Sequence, residues 1–151
     1  MRITYSGGVF HRDRLDRLEA ALLRVPQADC PVRHYFAPGL YAREITIPAG
    51  VVLTGAVHKV ENIAILSKGR LMFATEDGPK EICAPCTLTV RPGAKNAATA
   101  IEESVWTNFF STDETDVDKL VELLTESKAS ELIGGAENKQ LCANQKLELE
   151  V

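Results

Sequence analysis

PAGVVLTGAVHKVENIAILSKG, residues 48–69, sets two short apolar runs around a polar knot containing His58 and Glu61. Runs of this length, bounded by Pro48 and Gly50 on one side and by Lys68-Gly69 on the other, predict strand, tight turn, strand. Successive side chains of a strand point to opposite faces, so Thr54, Ala56 and His58 share one face and Gly55 and Val57 the other. After the turn, Asn62, Ala64 and Leu66 oppose Ile63 and Ile65. A histidine beside a turn, among small neighbours, predicts the floor of a cup.

The preceding run, LYAREITI at 40–47, places Tyr41, Arg43, Ile45 and Ile47 on one face. The isoleucines mark that face as interior, which carries Tyr41 and Arg43 into the cup. A buried cation there calls for an anionic partner, either Glu61 or a ligand carboxylate or phosphate. The alternative is that Arg43 lies at the strand end and reaches solvent.

Downstream, RLMFAT, a turn with Asp77-Gly78 at its centre, and KEIC form a predicted hairpin. CTLTV, a Pro92-Gly93 turn, KNAATAIEE and SVWTNFF continue the two-residue spacing. Short strands with regular turn signals over 40–111 predict an antiparallel sandwich or jelly roll, not alternating β and α units. In the last run Trp106 and Phe110 face one way, Val105 and Phe109 the other, the pattern of a strand covered on both sides. Helices are expected near 11–25, with Leu15, Leu18, Leu22 and Val25 as the stripe, and near 114–126, with Val117, Leu120, Val121 and Leu124. Arg12, Asp16, Arg17 and Glu19 are expected to be solvated. Thr115 and Asp118 have the spacing of a capping box for the second helix. The linker 26–39 has three prolines and is expected to be irregular. The tail after 125 has Gly134-Gly135 and no sustained period.

Residues 48–69 resemble the first motif of the cupin superfamily, in which a glycine precedes His-x-His, a glutamate and a second glycine. Aligned on Gly69, Asn62 stands at the metal-binding glutamate, His58 at the second histidine and Ala56 at the first. Arg91-Pro92-Gly93-Ala94-Lys95-Asn96 resembles the second motif, with Gly93 in place and Asn96 where a histidine belongs. The resemblance spans residues 35–112 and implies a cupin-like jelly-roll β-barrel. Of the family's ligand set only His58 is present, so no metal and no cofactor are expected. HYFAPGLYAREITIPAG, TGAVHK, TEDG and VWTNFF are similar to small cupin-like proteins encoded by phages and prophages.

The 151 residues fit one domain, organised as helix and linker (1–34), barrel (35–112) and helix with tail (113–151). A net charge of -4 without a basic stretch argues against nucleic acid as a partner. MRITYSGG has no apolar leader core and nothing approaches the length of a membrane span, which points to the cytoplasm: a host cytoplasm for a phage protein, or a virion. Cys83-Ala84-Pro85-Cys86 has neither a second pair for zinc nor the strand-to-helix context of a redox site, and reads as two semi-buried residues at a turn.

The function expected is metal-independent binding of a small anionic ligand in the cup, through Tyr41, Arg43, His58, Glu61, Asn62, Lys95 and Asn96. The alternatives are a virion or assembly protein with a filled barrel, and an enzyme, either metal-dependent or an epimerase with His58 as base and Tyr41 as acid. The apolar faces of Val57, Ile63 and Ile65 and of the Trp106–Phe110 strand predict a homo-oligomer. The simplest is a two-fold dimer, with the tail after Gly135 reaching the partner.

Overall fold

The two-residue period that marks LYAREITI is realised in a computed structural model that describes residues 9–75, 77–131 and 141–144. After helix α1 (Val9–Leu22) come strands β1 (Val32–Ala37), β2 (Leu40–Ile47), β3 (Val51–Thr54), β4 (Asn62–Lys68) and β5 (Arg70–Thr75). They are followed by β6 (Gly78–Cys83), β7 (Cys86–Val90), β8 (Ala97–Ala100) and β9 (Ser104–Ser111), then by helix α2 (Val117–Leu124) and strand β10 (Leu141–Asn144). The strands form two antiparallel sheets, β1-β2-β9-β4-β7 and β10-β3-β8-β5-β6. Two such sheets, with the chain passing back and forth between them, make the expected cupin-like jelly roll with an N-terminal and a C-terminal helix.

The inner faces supply the core. Ile45, Ile47, Val51, Leu66, Leu71, Phe73, Ile82 and Leu88 are all buried and contiguous. The inward set of β4 is Asn62, Ala64 and Leu66, at 4%, 0% and 0% exposure, while Ile63 on the other face is 42% exposed.

Four local expectations are corrected. β3 and β4 are not a hairpin: β3 pairs with β8 and β10, β4 with β7 and β9, so the chain changes sheets between them. Both runs bury a face in one core, and a connection of this length spans the gap between sheets where a two-residue turn would not. Within that connection Val57 is buried, not outward.

The linker 26–39 contains strand β1 on the edge of the first sheet, with Pro31 and Pro38 just outside it, where the missing N–H breaks no ladder. Finally, the tail, for which no regular element is expected, contains strand β10, paired with the chain's own β3. Gly134-Gly135 lies outside the described residues.

Smaller adjustments follow from end effects. α1 stops at Leu22 and residues 23–25 close in tighter turns before Pro26. The α2 cap is Asp116, which accepts from Asp118 N at 3.0 Å and Lys119 N at 3.2 Å; Thr115 and Asp118 do not form the cap. α1 packs against β3 and β10 through a face containing buried Leu15 and Leu22. Arg12, Asp16 and Arg17 are exposed as expected and Glu19 is half-buried, while Asp16 and Glu19 also hold Lys95 Nζ at 2.7 and 2.9 Å. Cys83 and Cys86 end β6 and begin β7; Cys83 is exposed and Cys86 half-buried.

Gly69 joins β4 to β5 with φ of +85°. A Cβ there would collide with Glu103 O and Ser104 Oγ and lie 2.8 Å from Ser104 Cα. Gly69→Ala should therefore lower the unfolding free energy by about 2 kcal/mol or more in urea titration. A loss under about 0.5 kcal/mol, the usual range for an unconstrained surface change, would contradict this packing.

Candidate functional site

Between the sheets lies a cavity offering about 110 Å³ to the centres of water-sized molecules. Its walls follow from strand period: Tyr41 and Arg43 project from β2, and Trp106, Asn108 and Phe110 from β9. Two loops bring in the remaining polar heads. Gly55 N donates to Asn96 O and Gly93 N to His58 O, each at 2.8 Å, clamping the loop after β3 to the loop before β8. Both His58 and Asn96 line the cavity as a result.

Helix α2 is the roof. Val117, Leu120, Val121 and Leu124 line the cavity from above, and Leu120 and Leu124 join Tyr41 and Phe110 in one buried cluster. Full burial of a leucine stabilises by about 1.5–3 kcal/mol, so the closed position has a substantial apolar cause. Its C-terminal end is tied to the His58 loop: Lys59 N donates to Leu124 O at 2.8 Å and Glu126 N to Val57 O at 3.0 Å. An ion pair from Arg12 to Glu126 links α1 to the same end.

The aromatic wall is ordered around Tyr41. Its ring stacks with Phe36 at 5.2 Å and Phe110 at 5.9 Å, and its hydroxyl shares a 2.8 Å hydrogen bond with His34 Nδ1. Burial pushes the Tyr41 hydroxyl up to about 12, with the nearby Arg43 charge acting in the opposite sense. His58, packed 5.7 Å from Phe110, is pulled down to about 4, mainly by burial and further by Arg43. At neutral pH the cup thus holds a neutral imidazole beside a guanidinium.

Of the residues singled out from the sequence, Tyr41, Arg43, His58 and Asn96 meet at the cavity. The structure does not bring Glu61, Asn62 or Lys95 to it: Glu61 is exposed at the turn, Lys95 is held by α1, and Asn62 lies behind the wall. Asn62 Oδ1 accepts from Asn108 Nδ2 at 2.8 Å, and Asn108 Oδ1 accepts from Trp106 Nε1 at 2.7 Å. Sequence reasoning missed Asn108 and the roof. The signal for Asn108 was present, because alternation in SVWTNFF puts an amide on the face of Trp106 and Phe110.

The donor set does not fit the metal centre of a typical cupin. Among the described residues no three His, Cys, Asp or Glu side chains converge. Asn62, at the place of the family's carboxylate, spends its oxygen on Asn108, and a neutral amide is a poor ligand for a transition metal. Two polar atoms at the cavity wall, His58 Nδ1 and Asn96 Oδ1, are buried and lack a hydrogen-bond partner among the described residues. Each such atom costs about 1–3 kcal/mol.

The His58 shift has a pH signature. The unfolded imidazole takes a proton near 6.5 and the folded one only near 4, so its contribution is complete above pH 6.5 and is lost as pH falls through this window. The loss by pH 4 should reach about 3 kcal/mol, at 1.36 kcal/mol per unit. Urea titrations should show His58→Phe with a correspondingly shallower fall in stability between pH 6.5 and 4. Equal slopes in the two proteins would contradict the burial of an uncharged His58.

No protein-family model matches the chain, and no curated protein does. Solved structures similar to part of it include an RmlC-like cupin from Shewanella frigidimarina, with 17% identity and a TM-score of 0.47 over 62% of this chain and 89% of that one. KdgF from Halomonas sp. is similar at 15% identity and a TM-score of 0.47, over 60% and 91% of the two chains. An acetylacetone dioxygenase from Acinetobacter johnsonii is similar at 17% identity and a TM-score of 0.44 over 53% of this chain and 58% of that one. The chain thus spans less than two thirds of the dioxygenase's length. These are partial likenesses of fold.

Proposed function

We propose that the chain binds a small anionic ligand in the cup without a metal. The observation that carries this reading is a cavity roofed by α2 whose wall brings the Arg43 guanidinium together with His58 and Asn96. A planar fork of donors matches a carboxylate or phosphate, and the low dielectric under the α2 roof strengthens that attraction. On the scale at which one water occupies about 10–15 Å³, the space suits a ligand of up to about ten heavy atoms.

Catalysis by His58 and Tyr41 is less well supported, because the Tyr41 hydroxyl is engaged by His34 and no carboxylate orients His58 among the described residues. A filled barrel would place large side chains where Ala56 and Ala98 border the space.

The same reading takes the chain as a two-fold dimer. Tyr35, Ala42, Phe109 and Ile63 align across the outer face of the first sheet through successive strand pairs, and Tyr35 and Ile63 are 48% and 42% exposed. A neutral row of this kind is self-complementary under a two-fold axis. The likeness of VWTNFF and its companions to phage-encoded proteins supports a host-cytoplasm setting. Among the described residues no helix is long and apolar enough to cross a membrane.

Native mass spectrometry of protein made in cells tests both parts. The expected spectrum shows twice the 16.5 kDa chain mass, with one small acid per chain that is lost from Arg43→Met. A wild-type protein without adduct, or an adduct retained by the variant, contradicts the ligand; a monomeric mass contradicts the dimer.

A further inference from the structure

The space between the sheets is walled unevenly. The first sheet faces it with Tyr41, Trp106 and Phe110, whereas β8 and the loop after β3 present Ala98, Gly55 and Ala56. Facing sheets pack about 10 Å apart, a separation that two layers of side chains normally fill. Where one layer is reduced to hydrogen and methyl groups, a slot about one side chain deep is left against the aromatic wall. Phe73 closes one end by packing on Trp106, with ring centroids 5.5 Å apart, and Leu120 and Leu124 cover the slot from α2.

The surface of this slot is largely carbon. The Tyr41 hydroxyl is bonded to His34, Asn108 to Trp106 and Asn62, and the Thr125 hydroxyl to Val121 O. Arg43 is likewise engaged, and His58 Nδ1 and Asn96 Oδ1 are buried and turn no surface toward the space. A water needs roughly two to four polar partners, so a space of this kind holds water poorly and takes an apolar solute instead.

We propose that the body of the ligand is a single flat apolar ring, seated between the aromatic wall and the small side chains of Gly55, Ala56 and Ala98. A ring with a short substituent fits a space of up to about ten heavy atoms. Ring-on-ring contact adds to burial, because aromatic groups attract when their centroids lie about 4.5–7 Å apart. The inference rests on the cup being a ligand site, as read above, and takes nothing from the charge of Arg43.

Trp106 is the chain's one tryptophan and lies in the wall, so its emission reports on the slot directly. The full chain is titrated with toluene and benzyl alcohol as neutral rings, with benzoate as a charged one, and with acetate as a charge without a ring, followed by Trp106 emission and by calorimetry. At least one neutral ring should bind saturably, one per chain, and shift the emission. Ala98→Leu, which fills the slot, should weaken that binding roughly tenfold or more. Thermal melts show whether the variant folds, and the wild-type titrations decide the matter without it.

Failure of both neutral rings to bind overturns the inference, as does ring binding that leaves Trp106 emission unchanged and persists in a folded Ala98→Leu. Acetate bound without either neutral ring would leave the anion reading standing alone. Neutral rings bound as tightly as benzoate would leave the ring slot standing and contradict the anion reading.

Discussion

Arg43 shares a strand face with Tyr41, Ile45 and Ile47, and a strand offers no way to bury the isoleucines without carrying the guanidinium inward. Ile45 and Ile47 are 2% exposed and sit in the central cluster, so the register of β2 is held by the core itself. A slip by one residue would exchange the buried and outer faces of the whole strand. The charge in the cup is thus a consequence of how the sheet is packed. Its field then shapes the neighbours: it adds to the burial that keeps His58 uncharged, and it opposes the burial that raises Tyr41.

The rest of the site serves to enclose that charge. The loops after β3 and before β8 are joined at both ends by backbone bonds, which turns two irregular segments into a rigid side of the cup. α2 closes over them because its apolar stripe meets Tyr41 and Phe110, and because Lys59 and Val57 hold its C-terminal end. Stability and function are therefore coupled in this region. The leucines that secure the roof also cover part of the cavity lined by Arg43, His58 and Asn96, and partial exclusion of water strengthens an ion pair or hydrogen bond made there.

Much of this could be read in the chain because it depends on short-range periodicity. The inward faces of β2 and β4, the two helices and the 40–111 extent of the strands all follow from alternation and helical spacing. So does the presence of Tyr41, Arg43 and His58 at one cavity. What could not be read was which strand pairs with which, since β3 and β4 look alike to a local pattern but bury their faces from opposite sheets. The place of Lys95 was hidden for the same reason: Asp16 and Glu19 are near it only through the docking of α1. The role of α2 was half visible, its stripe evident and its target not. β1 was obscured by flanking prolines that end a strand without forbidding it.

The most direct test is a high-resolution crystal structure of the wild-type protein purified from cells. The account predicts compact non-protein density under α2, in contact with the Arg43 guanidinium and small enough to leave the roof closed. A cup holding only water, or side chains filling the space beneath Leu120 and Leu124, would contradict it.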